Sequence, residues 1–399
     1  MTVSVVVLNR DRLAELECCL AALGQQSNRT FELVIVSNQV ETLQSRIPSA
    51  SRATLVPFSE PNVSAARNAG ITVARGDIIV FCDDDSVAEP FWLDRLIRPF
   101  DDAQVGAVGG LVFGRNGVSV QWGPQEVDKC GNDWPAGPDP DPDRVRKTVG
   151  TNCAFRRAAL RAVGGFDEAY KYYLEEADLN WRLKNAGWTI AFAPMAAVHH
   201  RFSPSMYRSS ARVPKSLFEV GASKAHFCAK FCPPGMEADE IRGFVRAQER
   251  RVFKLMNLGL IEPRNVRGLL GSLDEGLAAG RHRVEKLCEA QQAGPGDLRP
   301  FPIGAMPEQT VMSCGVLNRT KGRREAVQLT DGGQSVTLLE HSPTALMTRV
   351  WYDPRGFWIH RGGVCGRTNR TDRLFTLRAS ATWIRTEKNR IGPHRWENT

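Results

Sequence analysis

The chain has 399 residues, of which 42% are apolar and 24% charged, and it carries a formal net charge of +8. This composition allows a packed core and excludes wholesale disorder. The charge excess is small for so long a chain, so we expect no nucleic-acid partner, whereas an anionic ligand or membrane face is compatible with it. No apolar run reaches the ~18 residues that a spanning helix needs, and residues 1–12 do not read as a signal peptide. We therefore expect a cytoplasmic protein, with peripheral attachment to the inner face of a membrane as the alternative.

Residues 1–200 alternate short strand patterns with helical ones. Nearly continuous β-branched runs predict buried strands, and apolar residues at every third or fourth position predict helices. The predicted strands cover residues 3–8, 31–36, 53–57 and 77–82, and the helices cover residues 12–23 and 64–74. This alternation predicts an α/β domain over residues 1–210, with a mainly parallel sheet sandwiched between helices. Ligands of such sheets bind at the carboxyl ends of the strands.

The rest of the chain divides by composition. Residues 128–146 alternate prolines with aspartates, which predicts a loop, either a surface excursion or a lid on the acceptor side. Residues 211–296 have a helical apolar period and end in a Gly-Pro-Gly linker at 294–296. Residues 297–399 predict a small mixed α/β module, with a hairpin turn at 353–356. The sequence indicates neither a role for this module nor an oligomeric state.

Two features of this module have alternative interpretations. A basic run lies at residues 319–324, and aromatic pairs lie at 351–352 and 357–358. They predict a solvated helix face and a core, respectively. The alternative is a surface that engages an anionic membrane or a glycan acceptor.

Three adjacent carboxylates, Asp83, Asp84 and Asp85, follow the predicted strand at 77–82. Such groups repel one another unless a cation lies among them. At the carboxyl end of a buried strand their oxygens suit Mg²⁺ or Mn²⁺, which in turn binds phosphate oxygens. A solvated turn or a helix cap is the alternative interpretation of the triplet.

Further strings surround the triplet in a fixed order. They are Asn62-Val63-Ser64-Ala65-Ala66-Arg67-Asn68-Ala69-Gly70, Gly150-Thr151-Asn152-Cys153-Ala154, Gly164-Gly165-Phe166-Asp167-Glu168 and Glu175-Glu176-Ala177-Asp178. Together, over residues 3–205, they resemble the family 2 glycosyltransferases of the GT-A fold. The resemblance implies an enzyme that moves a sugar from a nucleoside-diphosphate sugar to a hydroxyl of a glycan or other acceptor. It also implies Mn²⁺ or Mg²⁺ as cofactor and a role in polysaccharide or glycoconjugate synthesis.

The resemblance assigns a donor site to the ends of the strands. Arg67 matches the family arginine that faces the diphosphate, and a guanidinium suits diphosphate oxygens. Asp83 and Asp85 match the outer members of the DxD motif, with Asp85 as the more direct metal ligand and Asp83 nearer the ribose. Further positions implied for the nucleotide are Leu8, Asn9, Arg12, Ser37, Asn38 and Asp84. Ser37 and Asn38 stand where the family has a base-reading aspartate, so the identity of the base is left open.

The acidic string at 175–178 resembles the family motif whose second member accepts the proton of the acceptor hydroxyl. That position is Glu176, and Glu175 and Asp178 are the alternatives. Acids at the start of a helix also favour the helix dipole, which is the structural interpretation of the same string. One base and one in-line displacement predict inversion at the anomeric carbon, with retention left open.

Two histidines, His199 and His200, follow an apolar run. The resemblance implies that a histidine here completes the metal site or contacts the diphosphate, which a neutral imidazole can do. We expect His199 as the metal ligand and His200 as the second choice. Polar surface positions are the alternative.

Two rival functions follow from the same residues. A nucleotidyltransferase that makes sugar nucleotides would need a glycine-rich first loop, and residues 8–12 contain no glycine. A degenerate, non-catalytic carbohydrate- or partner-binding protein is favoured by the altered Ser37-Asn38 position and by the unassigned second half. The set of Asp83, Asp85 and Glu176 favours the enzyme.

Overall fold

The computed structural model describes residues 1–28, 30–137, 141–288, 298–301, 303 and 307–395. The first half contains β1 (Val3–Asn9), α1 (Leu13–Leu23), β2 (Phe31–Ser37), α2 (Val40–Arg46), β3 (Thr54–Pro57), α3 (Val63–Val73), β4 (Ile78–Asp83), β5 (Ser86–Ala88), α4 (Trp92–Ile97), β6 (Val105–Phe113), β7 (Val120–Trp122), β8 (Gln125–Asp128), β9 (Asp133–Pro135), β10 (Arg144–Arg146), β11 (Asn152–Arg156), α5 (Arg157–Val163), α6 (Glu175–Asn185) and β12 (Thr189–His200). The second half contains α7 (Phe218–Phe231), α8 (Glu237–Asn257), α9 (Pro263–Gly280), β13 (Gln309–Gly315), α10 (Arg319–Asp331), β14 (Ser335–Ser342), β15 (Arg349–Asp353), β16 (Phe357–Gly363) and α11 (Ser380–Arg395).

Within the described residues, one large sheet of nine strands dominates the first half of the chain. Its order is β3-β2-β1-β4-β11-β6-β12-β5, and β7 pairs with β6. Strands β1 to β4 are parallel neighbours, and β6 and β12 run in the same direction because β11 pairs antiparallel with both β4 and β6. Six strands therefore share one direction and β5, β7 and β11 oppose it, which confirms the predicted α/β fold with a mainly parallel sheet.

Helices cover both faces of this sheet, which explains why its strands are apolar along their length. Val5 belongs to the layer that contains α1 and α4 and packs in one core with Leu20. Its neighbour Val6 points to the opposite layer, where it packs in a second core with Ile71 of α3 and Leu179 of α6. All of these side chains are less than a tenth exposed.

The strand register brings the candidate residues together. Leu8 lies opposite Asp83 and Asn9 lies opposite Ser37, so that β1, β2 and β4 end at the same edge of the sheet. The chain continues from β4 into β5, which pairs antiparallel with the end of β12 and places His200 opposite Ser86. This edge therefore collects the carboxyl ends of four strands.

The prediction for residues 128–146 was wrong at both ends of that segment. Strands β8, β9 and β10 form a separate three-stranded sheet in the order β10-β8-β9. The strands are only three or four residues long, and Pro135 ends β9 at an edge, where a missing N–H is tolerated. The prolines and aspartates therefore mark short edge strands as well as turns. Residues 138–140, in the centre of the predicted loop, lie outside the described residues, and the lid stays a prediction.

Helices α7, α8 and α9 form the predicted helical segment and share a core that includes Leu217, Val252 and Leu273. Helices α7 and α9 pack closely because Gly276 lies against the backbone of Phe218, where a Cβ would overlap the carbonyl group. No helix in the described ranges has both the length and the hydrophobicity to cross a bilayer. The linker expected at 294–296 lies outside the described residues.

The C-terminal residues form the expected mixed α/β module. Its four-stranded sheet has the order β13-β14-β16-β15. β15 and β16 are joined by the predicted hairpin, in which Gly356 has a φ of +97°. The aromatic residues Tyr352 and Trp358 are buried in one core with Cys18 and Val87 of the first half. The module thus shares a core with the large sheet, and the boundaries 1–210, 211–296 and 297–399 stay predictions.

Asn152 of β11 is a polar side chain at the centre of the large sheet. It is fully buried and donates to the carbonyl oxygens of Leu111 and Ala196, both at 2.9 Å. Its Oδ1 accepts from Trp92 Nε1 at 2.8 Å. The residue therefore joins β11, β6, β12 and α4 through one amide group.

We predict that Asn152→Ala lowers the free energy of unfolding by about 3 kcal/mol, because it leaves two carbonyl groups and one indole N–H buried without partners. Asn257→Ala, at an exposed position of α8, is the matched control and should change stability by less than about 0.5 kcal/mol. Chemical denaturation followed by circular dichroism measures both. Equal stability of the two variants would show that the Asn152 amide does not join these strands.

Candidate active site

The acid triplet lies where β4 turns into β5, and its three members differ in environment. Asp83 is half-buried at the end of β4, whereas Asp84 and Asp85 are buried in the turn. Asp83 Oδ2 accepts a hydrogen bond from Thr151 Oγ1 at 2.7 Å. The predicted triplet is therefore not a solvated turn.

Asp84 holds the first turn of the chain to the triplet. Its carboxylate accepts from Asn9 Nδ2 at 2.8 Å and forms an ion pair with Arg12 at 2.5 Å. Asn9 Oδ1 in turn accepts from Ser37 Oγ at 3.0 Å. These buried contacts occupy Asp84, Asn9 and Ser37 with one another, so that each supports the site's shape.

Asp85 is ionised by its surroundings. Burial alone would raise the pKa of this carboxyl, but hydrogen bonding and charge from His200, the charge of Arg12 and the backbone N–H of Ser203 lower the pKa to about 2. The Asp85 carboxylate lies 3.3 Å from His200 Nε2 and 3.2 Å from Arg12 Nη1. It therefore stays negative over the whole physiological range.

The histidine in this cluster is His200. One ligand atom each from Asp83, Asp85 and His200 lie within 4.8 Å of one another. His199, the residue expected as the ligand, points away and bonds Glu89 through Nε2 at 2.8 Å. Successive side chains of a strand point to opposite faces, so only one of the two histidines of β12 can face the triplet. The assignment is corrected to His200.

The donor atoms of this cluster fit a divalent cation. His200 Nδ1 faces Gln121 Oε1 at 3.2 Å, which holds the proton of a neutral ring on Nδ1 and leaves a lone pair on Nε2. That nitrogen is buried, has no hydrogen-bond partner among the described residues, and faces the Asp85 carboxylate. A proton on Nε2 satisfies both atoms when the ring is charged, and it is this hydrogen bond that lowers the pKa of Asp85; a divalent cation would take the place of that proton between Nε2 and the carboxylate.

A second acidic group begins helix α6. Glu175 and Glu176 are its first two residues, and the preceding Tyr173 and Leu174 have φ angles of +77° and +68°. Two consecutive non-glycine residues in the left-handed region store strain, which often occurs where a functional side chain must be aimed. The turn directs both carboxylates towards Arg67.

The resemblance implied that Arg67 faces the diphosphate. In the structure, its side chain instead pairs with two carboxylates. Its guanidinium is only 3% exposed and bridges the two acids, with Nη1 3.1 Å from Glu175 Oε1 and Nη2 3.0 Å from Glu176 Oε1. The ring of Phe166 lies 5.1 Å from the guanidinium carbon. Two buried carboxylates need a buried cation, and Arg67 meets this requirement.

The two acids of this pair have different protonation behaviour. Burial, together with the charge of Glu176, raises the pKa of Glu175 to about 7, although Arg67 opposes the shift. Glu175 therefore holds a proton for part of the time at neutral pH. The Glu176 side chain is 14% exposed, against 7% for Glu175, and so is the more accessible carboxylate.

Asp178, the third candidate base, faces the protein interior. Its carboxylate is fully buried and forms ion pairs with Arg182 at 2.6 Å and Lys230 at 2.5 Å. At 3.6 residues per turn, residue 178 lies about 200° around the helix from residue 176 and so projects to the opposite side. Asp178 is therefore a structural ion-pair partner that ties α6 to α7.

Gly150 and Thr151, adjacent residues before β11, connect the two acidic groups. Gly150 N–H donates to Glu176 Oε1 at 2.8 Å, while the Thr151 hydroxyl donates to Asp83. A Cβ on residue 150 would overlap both the Arg67 guanidinium and the Glu176 carboxylate, so only glycine fits. In the sequence, Gly150 and Thr151 stand out only as part of a family string, and no spacing indicates their contacts.

Ser37 and Asn38, the positions expected to face the base, differ in exposure. Because the Ser37 hydroxyl points inward to Asn9, only Asn38 is exposed at the end of β2. Its Nδ2 donates to Asp11 Oδ1 at 2.9 Å, and Gln39 Nε2 donates to the same oxygen at 3.1 Å. Asp11, in the turn after β1, thus lies beside the end of β2, a proximity that no sequence spacing indicates.

Part of this chain is similar in sequence to known proteins. The family model described as glycosyl transferase family 2 matches residues 2–164. The pre-mycofactocin glycosyltransferase of Mycobacterium tuberculosis (strain ATCC 25618 / H37Rv) is 32% identical over 142 residues, which cover 34% of this chain and 29% of that protein. The succinoglycan biosynthesis protein ExoM of Rhizobium meliloti is 26% identical over 242 residues, which cover 57% of this chain and 75% of that protein.

A mannosyltransferase from Pyrobaculum calidifontis, solved with GDP-Man and Mn²⁺, is similar with a TM-score of 0.41 and 14% identity, covering 70% of this chain and 86% of that one. The matched segment amounts to less than a third of the length of the pre-mycofactocin glycosyltransferase. Residues 2–164 belong to glycosyltransferase family 2, which confirms the resemblance and identifies a glycosyltransferase domain. The acid pair of α6 lies beyond the residues that the family model matches.

We predict that Glu175 makes the fold less stable as the pH rises. Its pKa is raised from 4.5 to about 7 on folding, so its stabilising contribution is complete below 4.5 and is lost as the pH rises through 7. Glu175→Gln removes this titration, so the variant should gain on the order of 3 kcal/mol relative to wild type between about pH 4.5 and 7.5. Urea denaturation at a series of pH values measures the difference.

The matched control for this experiment is Glu17→Gln, at an exposed position of α1. Its pH profile of stability should be parallel to that of wild type. A parallel profile for Glu175→Gln as well would mean that Glu175 is ionised throughout and shares no proton with Glu176.

Proposed function

We propose that the chain is a metal-dependent, inverting glycosyltransferase that moves a sugar from a nucleoside-diphosphate sugar to a hydroxyl acceptor in polysaccharide or glycoconjugate synthesis. One observation carries the proposal: the dipeptide Gly150-Thr151 contacts Glu176 with one residue and Asp83 with the next. A candidate base and a candidate metal cluster therefore share one edge of the sheet. A transfer reaction needs both, one for the acceptor hydroxyl and one for the leaving diphosphate.

Asp83, Asp85 and His200 are the residues that would hold the cation. Two carboxylates with one imidazole favour Mn²⁺ over Mg²⁺, because Mg²⁺ is bound mainly by oxygen. When bound there, the cation would supply positive charge to offset that of the departing diphosphate. Gln121 fixes the His200 tautomer, and Thr151 orients the Asp83 carboxylate through its hydroxyl.

Residues 201–217, which follow His200, supply further positive charge. They include Arg201, Arg208, Arg212 and Lys215 and contain no acidic residue. The Arg212 guanidinium lies 3.3 Å from the centre of the Phe202 ring, and that ring lies 4.1 Å from the ring of His200. We assign this segment, rather than the buried Arg67, to the diphosphate of the donor.

Glu176 is the proton acceptor in this proposal. Its Oε1 accepts from Gly150 N–H and Arg67, whereas Oε2 has no hydrogen-bond partner among the described residues and remains for the acceptor hydroxyl. Arg67 keeps this carboxylate oriented, and Glu175 behind it holds the proton that two adjacent carboxylates share. Attack by the activated hydroxyl opposite the leaving diphosphate inverts the anomeric carbon.

A cytoplasmic location completes the proposal. The cysteines of the large sheet, Cys82 and Cys153, are buried thiols, which is the usual state in a reducing compartment. Peripheral attachment to a membrane stays a prediction.

A donor screen distinguishes the proposed enzyme from the rival function, a non-catalytic carbohydrate- or partner-binding protein. Thermal shifts with Mn²⁺ and UDP-, GDP- or dTDP-sugars should show stabilisation by at least one donor, with release of its nucleoside diphosphate on incubation. Asn38, at the exposed end of β2, and Asp11, in the turn after β1, are the side chains that we expect to select the base. Absence of binding to all donors would favour the non-catalytic protein.

We predict that Glu176→Gln retains donor binding but lowers the transfer rate by about 10³-fold, because an amide cannot accept the proton. Asp239→Asn, in the first turn of α8, is the matched control for loss of an acid at a helix start and should retain full activity. Product formation and the KM for donor measure the two effects. Full turnover by Glu176→Gln would place the base elsewhere.

We also predict that His200→Ala weakens Mn²⁺ binding by about 100-fold, since it removes one of the cluster's donor atoms. His282→Ala, at an exposed position, should bind Mn²⁺ as wild type does. Electron paramagnetic resonance of free Mn²⁺ measures affinity without any donor. Unchanged affinity in His200→Ala would remove this histidine from the metal site.

A further inference from the structure

The C-terminal helix α11 reaches the large sheet through a buried arginine. Arg395 is fully buried, and its Nε and Nη2 donate to the two carboxylate oxygens of Glu89 at 2.8 and 2.7 Å. This is a bidentate contact between residues 306 positions apart in the sequence. A planar guanidinium fork matches a carboxylate in this geometry, so that the contact defines direction as well as distance.

Glu89 connects this arginine to the strands of the candidate active site. It directly follows β5 and is 2% exposed. Its backbone N–H donates to the Ala197 carbonyl at 3.1 Å, and its Oε1 bonds His199 Nε2 at 2.8 Å. Glu89 therefore holds β5 and β12 together on the face opposite to the metal cluster.

The other contacts of Arg395 all lie in the C-terminal module. Nη1 donates to Thr337 Oγ1 at 3.1 Å and to His360 Nε2 at 2.9 Å, and the guanidinium lies 4.2 Å from the centre of the Trp358 ring. Burial lowers the pKa of His360 to about 3, so the ring is neutral and its Nε2 can accept this hydrogen bond. Arg395 is thus held in place from the module side by three neighbours.

The short strand β5 links the contact between Arg395 and Glu89 to the position of Asp85. This strand has three residues, and Asp85 and Glu89 flank it at its two ends. On β12, His199 and His200 face opposite sides, one towards Glu89 and the other towards Asp85. A shift of β5 along β12 would therefore change the distance between Asp85 and His200, and three residue pairs give the ladder little resistance to such a shift.

We propose that Arg395 is a positioning residue for the metal cluster. It holds Glu89, and through Glu89 it holds β5 in the register that sets Asp85 against His200. This gives the C-terminal module a role in the reaction site, although none of its residues belongs to the cluster. The inference rests on the metal site of the proposed function.

The test compares Mn²⁺ binding by the full chain and by its Glu89→Gln/Arg395→Met double variant. This variant removes both buried charges at similar volume, so no uncompensated carboxylate is left in the core. We expect Mn²⁺ affinity about 10-fold or more weaker, in the range found when residues behind metal ligands are replaced. Electron paramagnetic resonance measures affinity, and thermal unfolding of the same samples reports the folded state.

Arg390→Met is the matched control. Arg390 lies on the same helix, pairs with Glu387 at 2.7 Å and lies 3.2 Å from His360 Nδ1, but no hydrogen bond or ion pair joins it to Glu89 among the described residues. Its Mn²⁺ affinity should stay within about twofold of that of wild type. If it weakened Mn²⁺ binding as much as the double variant, the effect would belong to the module in general, and the specific role of Arg395 would be refuted.

The remaining outcomes separate the two proposals. A folded double variant with wild-type Mn²⁺ affinity would show that Arg395 only anchors the module. If the double variant does not fold, Arg395→Lys keeps the charge without the fork, and its Mn²⁺ affinity decides the question in the same way. A wild-type chain that binds no Mn²⁺ would refute the metal site itself, and this inference with it.

Discussion

Five carboxylates crowd one edge of the large sheet, and the need to balance their charge shapes everything around them. They are Asp83, Asp84, Asp85, Glu175 and Glu176. Two arginines lie among them, Arg12 against the triplet and Arg67 between the glutamates. Two arginines leave five carboxylates short of positive charge, and burial accordingly raises the pKa of Asp84 and that of Glu175. In the proposed function, a cation at the triplet and a proton at the glutamate pair supply the missing positive charge.

Backbone geometry serves the same requirement. The left-handed turn at Tyr173 and Leu174 aims the glutamate pair, and the missing side chain of Gly150 leaves room for it. On the other side of the site, the pairing of β5 with β12 brings His200 to the triplet. The left-handed turn, the glycine and the three-residue strand each lower the local stability of the fold. Each also places a charged side chain in the site.

The sheet could be predicted from the sequence because nearly continuous β-branched runs, such as residues 3–8, are typical of strands covered on both faces. The triplet and the glutamate pair could also be found, since each is a short local string. Contacts between distant residues could not. The choice between His199 and His200 depends on which face of β12 meets the triplet, and the partners of Arg67 and Arg395 lie more than a hundred residues away in the chain. Among the short strands at residues 125–146, β9 was hidden by Pro135, which ends it at the edge of its sheet.

The proposed function requires a divalent cation between the triplet and His200, within reach of the glutamate pair. The most direct measurement is a crystal structure with Mn²⁺ and a nucleoside diphosphate, with anomalous scattering recorded at the manganese edge. We predict one anomalous peak in coordination contact with Asp83, Asp85 and His200 and with the diphosphate oxygens. A manganese ion bound elsewhere, or a diphosphate bound away from this edge of the sheet, would contradict the account.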